Sequence, residues 1–139
     1  MRWWPRTSYA PPLVMPGFVA NPWSWIARAA AFVLPSRWEG FASVLVEAMA
    51  CGTPVVAADC DYGPREILCD GESGLLACAE DTESLTAAIR HVLTHRAFAR
   101  ELAVHGRRRA LDFDAPEVAR RYVDLVRNAA RRVRDECCP

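Results

Sequence analysis

The sequence predicts an α/β fold, a parallel sheet flanked by helices. Two observations carry that prediction. Short apolar runs alternate with segments of helical periodicity, and the runs open into loops rich in Gly, Pro or Asp. Such alternation reads as βαβ units. Leu13–Met15 is a short apolar run ended by Pro16-Gly17, and it reads as a strand entering a turn. Asn21-Pro22 starts a helix, with Asn as cap and Pro at the first helical position. Trp23, Ile26, Ala27 and Ala30 then keep helical spacing. Ala31–Leu34 is wholly apolar and reads as a buried strand. Pro35–Ala42 is the loop that follows. Ser43–Ala50 is the next helix, with Val44, Leu45, Ala48 and Met49 toward the core and Gly52 as its left-handed cap. Pro54–Ala58 is a second buried strand.

Asp59–Gly63 reads as a loop, Pro64–Leu68 as a short helix opened by proline, and Asp70-Gly71 as a turn. Gly74–Ala77 is a third short strand. Asp81 caps a helix whose Leu85, Ala88, Ile89, Val92 and Leu93 form one stripe. A further helix covers about Ala97–Ala110. The last begins near Asp114, holds Pro116 in its first turn, and keeps Val118, Tyr122, Leu125, Val126 and Ala129 on one side.

The chain has 139 residues, enough for one domain with a sizeable core. Residues 1–12 stay unassigned, and 13–139 form the α/β unit. Met1–Pro12 lacks the apolar stretch of a secretory leader. No apolar run reaches the ~18 residues that a membrane-spanning helix needs. The net charge is zero, which argues against a general nucleic-acid binder. That zero hides an asymmetry: residues 1–34 sum to +3, 35–85 to −8, and 86–139 to +5. An acidic middle suits a site that grips hydroxyls through carboxylates. The Arg-rich end is either a solvated helix face or a contact for an anionic membrane surface. Lysine is absent, so no lysine clamps a phosphate or acts as a base.

Cys51, Cys60, Cys69 and Cys78 fall nine residues apart, and Cys137-Cys138 stand near the end. None forms the close C-x-x-C pair usual for zinc. They read as small core or loop residues in a reducing compartment. His91, His95 and His105 fall on the rear helices and read as surface or core residues.

The loop Glu39-Gly40-Phe41-Ala42 runs straight into the Ser43 helix, and it carries the densest chemistry. Ligands in parallel α/β sheets bind at the carboxyl ends of strands. Gly40 lets backbone approach a ligand closely. The amides of Ala42, Ser43 and Val44 sit at a helix N-terminus, where free N–H groups and the helix dipole favour an anion. Ser43 and Glu47 share one helix face. Two carboxylates, Glu39 and Glu47, therefore flank a place suited to phosphate, and carboxylates accept hydrogen bonds from hydroxyls. Phosphate between hydroxyl acceptors describes a nucleotide-diphosphate sugar. The spacing equally fits a first-turn helix charge at Glu39 and a solvated Glu47.

The ordered run from Phe32-Val33-Leu34-Pro35-Ser36 through Trp38-Glu39-Gly40-Phe41, Glu47-Ala48-Met49-Ala50-Cys51-Gly52-Thr53-Pro54 and Gly63-Pro64-Arg65-Glu66-Ile67-Leu68 carries a resemblance. Gly17-Phe18-Val19-Ala20-Asn21-Pro22 and Asp70-Gly71-Glu72-Ser73-Gly74-Leu75-Leu76 extend it. It resembles the donor-binding domain of the retaining, two-domain glycosyltransferases of the family 4 (group 1) type, over about residues 13–130. The family signature is two glutamates separated by seven residues, which Glu39 and Glu47 match. The resemblance implies a Rossmann-like C-terminal lobe of a GT-B fold, here incomplete. It implies that Glu39 holds the donor sugar beside the reacting carbon. Gly40, Phe41 and Ala42 would lend backbone to that sugar, Ser43 and Val44 amides to the diphosphate, and Glu47 a carboxylate to the ribose. Arg65-Glu66 read as structural, and Trp38 as packing. The implied reaction is independent of metal and cofactor. Asp59-Cys60-Asp61 has metal-motif spacing but follows the wrong strand, and reads as a capping or turn loop.

Members of that family are longer, with an N-terminal acceptor lobe and an Arg and Lys that clamp the diphosphate. Neither is found here, so the chain reads as a fragment: a truncated gene, a mis-called start or half of a split enzyme. Two roles follow: a donor lobe active only with a separate N-terminal lobe, or a non-catalytic remnant that binds nucleotide-sugar or is purely structural. A general interaction module such as a receiver domain would need an acidic cluster after the first strand, and none is present. The expected partners are a nucleotide-sugar donor and a glycan or lipid-linked acceptor. The expected setting is cytoplasmic, with peripheral contact to the inner membrane. An uncovered lobe interface would favour self-association.

Overall fold

A computed structural model describes residues 14–136. Its sheet has three parallel strands in the order of the chain: β1 (Phe32–Leu34), β2 (Val55–Asp59) and β3 (Leu75–Cys78). Phe32 pairs with Val55, and Ala57 with Leu76. The helices are α1 (Trp23–Ile26), α2 (Ser43–Ala50), α3 (Pro64–Ile67), α4 (Thr82–Thr94), α5 (Arg96–Ala110) and α6 (Ala115–Glu136). Two single 3-10 turns, Cys69–Gly71 and Leu111–Phe113, follow α3 and α5.

The central strand β2 is buried on both faces, which is why it is apolar without alternation. Val55 and Ala57 pack with Leu45, Ala48 and Met49 of α2 and with Ile67 and Leu68. Val56 faces the other way, onto Ala77 of β3, Ala88 and Val92 of α4, and Leu102 of α5. α5 reaches both layers, because Ala110 at its end joins the first cluster. Each crossover therefore places a helix on the sheet, and the loops after β1 and β2 emerge at one end. The local signals act as expected. Asp81 Oδ1 accepts from the amides of Glu83 and Ser84 at 2.9 and 3.0 Å. Asn21 Oδ1 accepts from the Ser24 amide at 3.2 Å, and Gly52 closes α2 at φ 76°.

Four expectations change. Val14 and Met15 form no strand and are exposed, while Leu13 lies outside the described residues. Without a neighbouring strand among the described residues, Val14 and Met15 would leave their ladder groups unpaired, so water serves them better. The Asn21-Pro22 helix is a single turn that ends at Ile26. β1 is half-buried rather than buried, because it forms the sheet edge among the described residues. The stripe on α6 does not face the core: Val118, Tyr122, Leu125 and Val126 are all exposed. That helix meets the body mainly at its start, beside the Leu111–Phe113 turn.

Candidate functional site

The site residues lie where β1 ends and α2 begins. The loop is anchored by Ala42, which is buried and left-handed at φ 55° and ψ 48°. A non-glycine residue in that region carries strain, and such strain gathers at functional sites. The sequence pointed to Gly40 as the special backbone position. In the structure the left-handed turn falls on Ala42, and the space beside Gly40 is open, with no atom within 4 Å of where a Cβ would be. No side chain caps α2, so its first-turn amides have no side-chain partner.

The two glutamates take different surroundings. Glu47 is half-buried, and its Oε2 accepts from the Trp23 indole Nε1–H at 2.8 Å. Glu39 is half-buried and near enough to Cys60, just past β2, for its charge to reach that thiol. Burial pushes the Cys60 thiol above its ordinary value, and the Glu39, Asp59 and Asp61 carboxylates push it further. A raised value means less thiolate near neutral pH, hence a slower nucleophile. Iodoacetamide at pH 8 is expected to label exposed Cys78 at least about tenfold faster than Cys60. Peptide mass spectrometry over time checks this, and equal rates would contradict it.

Phe41 projects from the loop and meets Phe113 edge-on, with ring centroids 5.7 Å apart. Phe113 in turn lies under the Arg109 guanidinium, 4.6 Å from the ring centroid. Arg109 donates from Nε to the Ile67 carbonyl at 3.1 Å and from Nη2 to the Glu66 carbonyl at 3.0 Å. It also pairs with Asp112 at 2.8 Å. These bonds tie the last carbonyls of α3 to α5. Sequence reading missed Arg109, because it sits in the run Arg107-Arg108-Arg109 that reads as a solvated face.

A second feature lies beside the loop. A cavity of about 540 Å³ opens at the end of β2, lined by Asp59, Cys60, Asp61, Tyr62, Gly63, Arg65, Glu66 and Asp70. Arg65 pairs with Asp59 and Asp70 across it, which raises the guanidinium above its ordinary value. Arg65 thus ties Asp59 at the strand end to Asp70 across the cavity. Four carboxylates against one arginine make the cavity hostile to phosphate and receptive to hydroxyls.

The remaining predicted positions fall as follows. Ser43 is exposed and Val44 half-buried on the first turn of α2. Trp38 is 76% exposed, so it does not pack as expected. His91, His95 and His105 are exposed on α4, at the α4–α5 junction and on α5, away from the loop. Cys60 is buried, Cys51 and Cys69 are half-buried, and Cys137-Cys138 lie outside the described residues. Among the described residues no helix is long and apolar enough to cross a membrane.

Comparison with known proteins gives the family. Residues 11–109 match the family model "Glycosyl transferases group 1". The chain is 33% identical over 104 residues to the N-acetylgalactosamine-N,N'-diacetylbacillosaminyl-diphospho-undecaprenol 4-alpha-N-acetylgalactosaminyltransferase of Campylobacter jejuni, covering 75% of this chain and 28% of that protein. It is 38% identical over 109 residues to the MMP alpha-(1->4)-mannosyltransferase of Mycolicibacterium hassiacum, covering 78% and 26%. Among solved structures it resembles Anabaena HepE in complex with UDP, with a TM-score of 0.75, 26% identity, and coverage of 81% and 31%. The chain spans about a quarter of the length of the curated relatives it matches. The parallel sheet with its flanking helices is the Rossmann-like α/β arrangement of GT-B enzymes. By that fold and by the match over most of its length, this chain belongs to the group 1 glycosyl transferases.

Proposed function

We propose that this chain binds the donor in a retaining hexosyltransferase, one that moves a sugar from a nucleotide-diphosphate sugar to a glycan or lipid-linked acceptor. The observation that carries the reading is the start of α2, uncapped and flanked by Glu39 and Glu47. In this reading the Ser43 and Val44 amides receive the diphosphate at the positive end of the helix. Glu47 accepts from the ribose hydroxyls. Glu39 accepts from the sugar hydroxyls and so holds the anomeric carbon in place, while Gly40, Phe41 and Ala42 line the sugar with backbone. The acidic cavity after β2 supports this order, because it repels phosphate toward α2 and accepts hydroxyls itself. As the anomeric bond breaks, negative charge grows on the leaving diphosphate, and fixed amides stabilise it without a metal ion. Acceptor binding belongs to a separate lobe, so the chain alone turns over poorly. The Arg-rich end would hold the enzyme against anionic lipid at the cytoplasmic face.

The test is calorimetric titration of the purified chain with UDP, GDP and several of their sugars, beside Glu39→Ala and Glu47→Ala. Glu47→Ala is expected to weaken nucleotide binding about tenfold or more, the loss of a hydroxyl bond to a charged acceptor. Glu39→Ala is expected to abolish the preference for the sugar over the bare diphosphate. Nucleotide affinities unchanged by both substitutions would overturn the reading.

A further inference from the structure

The Trp23–Glu47 bond joins two elements that no local signal connects. Glu47 sits one turn into α2, and Trp23 opens the single-turn helix α1. Two contacts fix α1 against the far end of α2, and a third steadies α1 itself. Thr53 Oγ1 donates to the Ile26 carbonyl at 2.7 Å. The Cys51 thiol lies 3.9 Å from the Trp23 carbonyl, four residues on from Glu47. Asn21 Oδ1 and its carbonyl hold both ends of Ser24. The backbone of α1 is therefore held beside the end of α2 by side-chain bonds that do not involve Glu47.

An indole N–H only donates, and a carboxylate only accepts, at about four sites on two oxygens. Trp23 occupies one site on Oε2. That bond stops a flexible side chain from sampling its other rotamers and leaves Oε1 to accept. Resting on the donor-binding reading above, we infer that Trp23 is a positioning residue for Glu47: it presets the carboxylate so that Oε1 meets the ribose diol of a nucleoside diphosphate. Trp23 touches no ligand in this arrangement. It acts through Glu47 alone, so its effect appears only with ligands that carry ribose hydroxyls.

Trp23→Phe keeps the ring and removes the N–H. UDP and GDP are titrated into the wild-type chain, Trp23→Phe, Glu47→Ala and the double variant, each checked for an unchanged circular dichroism spectrum. The better-binding nucleotide is then replaced by its 2′,3′-dideoxy counterpart. Trp23→Phe is expected to weaken the ribose nucleotide about fivefold, the effect of one hydrogen bond to a charged group in partial solvent. The double variant is expected to bind no worse than Glu47→Ala, because coupled residues lose their shared effect once. The dideoxy nucleotide is expected to bind wild type and Trp23→Phe alike. If Glu47→Ala weakens binding but Trp23→Phe does not, the positioning role is overturned and the donor site stands. If Trp23→Phe weakens the dideoxy and ribose ligands equally, the indole serves structure only and the inference is again overturned. If Glu47→Ala has no effect, or a folded wild-type chain binds neither nucleotide, the donor-site reading and the inference fall together.

Discussion

Gly63→Val is expected to remove about 4 kcal/mol of stability, lowering the melting temperature by roughly 15 °C. Gly63 precedes α3 at φ 92° and ψ −69°, where a side chain is strained even in open space. The space is not open. A Cβ there would lie 3.1 Å from both the carbonyl carbon and the oxygen of Phe41. Backbone cannot swing aside as a flexible side chain can. About half of the loss comes from the φ angle and about half from overpacking against the loop between β1 and α2. Gly71 separates the two terms. It has φ 103° but nothing within 4 Å of a Cβ, so Gly71→Ala carries strain alone, about 1–2 kcal/mol. Gly63→Ala should exceed it clearly. Thermal melts followed by circular dichroism decide the matter. Equal losses at the two glycines would mean that the close approach of the two loops contributes nothing.

Arg109→Met is the second large effect, a loss of about 2–3 kcal/mol. Methionine keeps much of the apolar stem, so the loss comes from the guanidinium. It serves the last carbonyls of α3 at 3.0 and 3.1 Å, pairs with Asp112, and covers Phe113, which supports Phe41. A helix C-terminus has carbonyls without partners and favours a cation. Arg109→Lys keeps the charge but not the planar fork, so it should recover less than half of the loss. Chemical denaturation with a constant slope measures this. A lysine variant as stable as the wild type would show that charge alone matters. A methionine variant as stable as the wild type would show that the α3–α5 tie is idle.

Much of the fold was legible because local signals and burial agree. β2 reads as one apolar run because both of its faces are covered. α2 and α4 carry their own boundaries in Gly52 and Asp81. The failures share a cause. Val14 and Met15 look like a strand, but a strand is defined by its neighbour, and none is there among the described residues. The α6 stripe predicts a partner surface without saying which, and the described body supplies none. The candidate site was legible as a spacing of two glutamates around a helix start. Its supports were not. Arg109 lies 42 and 43 residues from the carbonyls it serves, and Trp23 lies 24 residues from Glu47. Nothing local in an arginine run or a tryptophan helix marks such distant partners. The left-handed turn at Ala42 was hidden too, since alanine gives no hint of positive φ where glycine stands two residues earlier.

The central claim is that a nucleoside diphosphate binds at the start of α2. The most direct measurement is a backbone-amide NMR titration of the isotope-labelled chain with UDP and GDP. The largest shifts are expected at Gly40, Phe41, Ala42, Ser43 and Val44, with Glu47 and the Trp23 indole N–H responding and α4 silent. Shifts confined to the Asp59–Asp70 cavity, or no shifts at all in a folded chain, would contradict it.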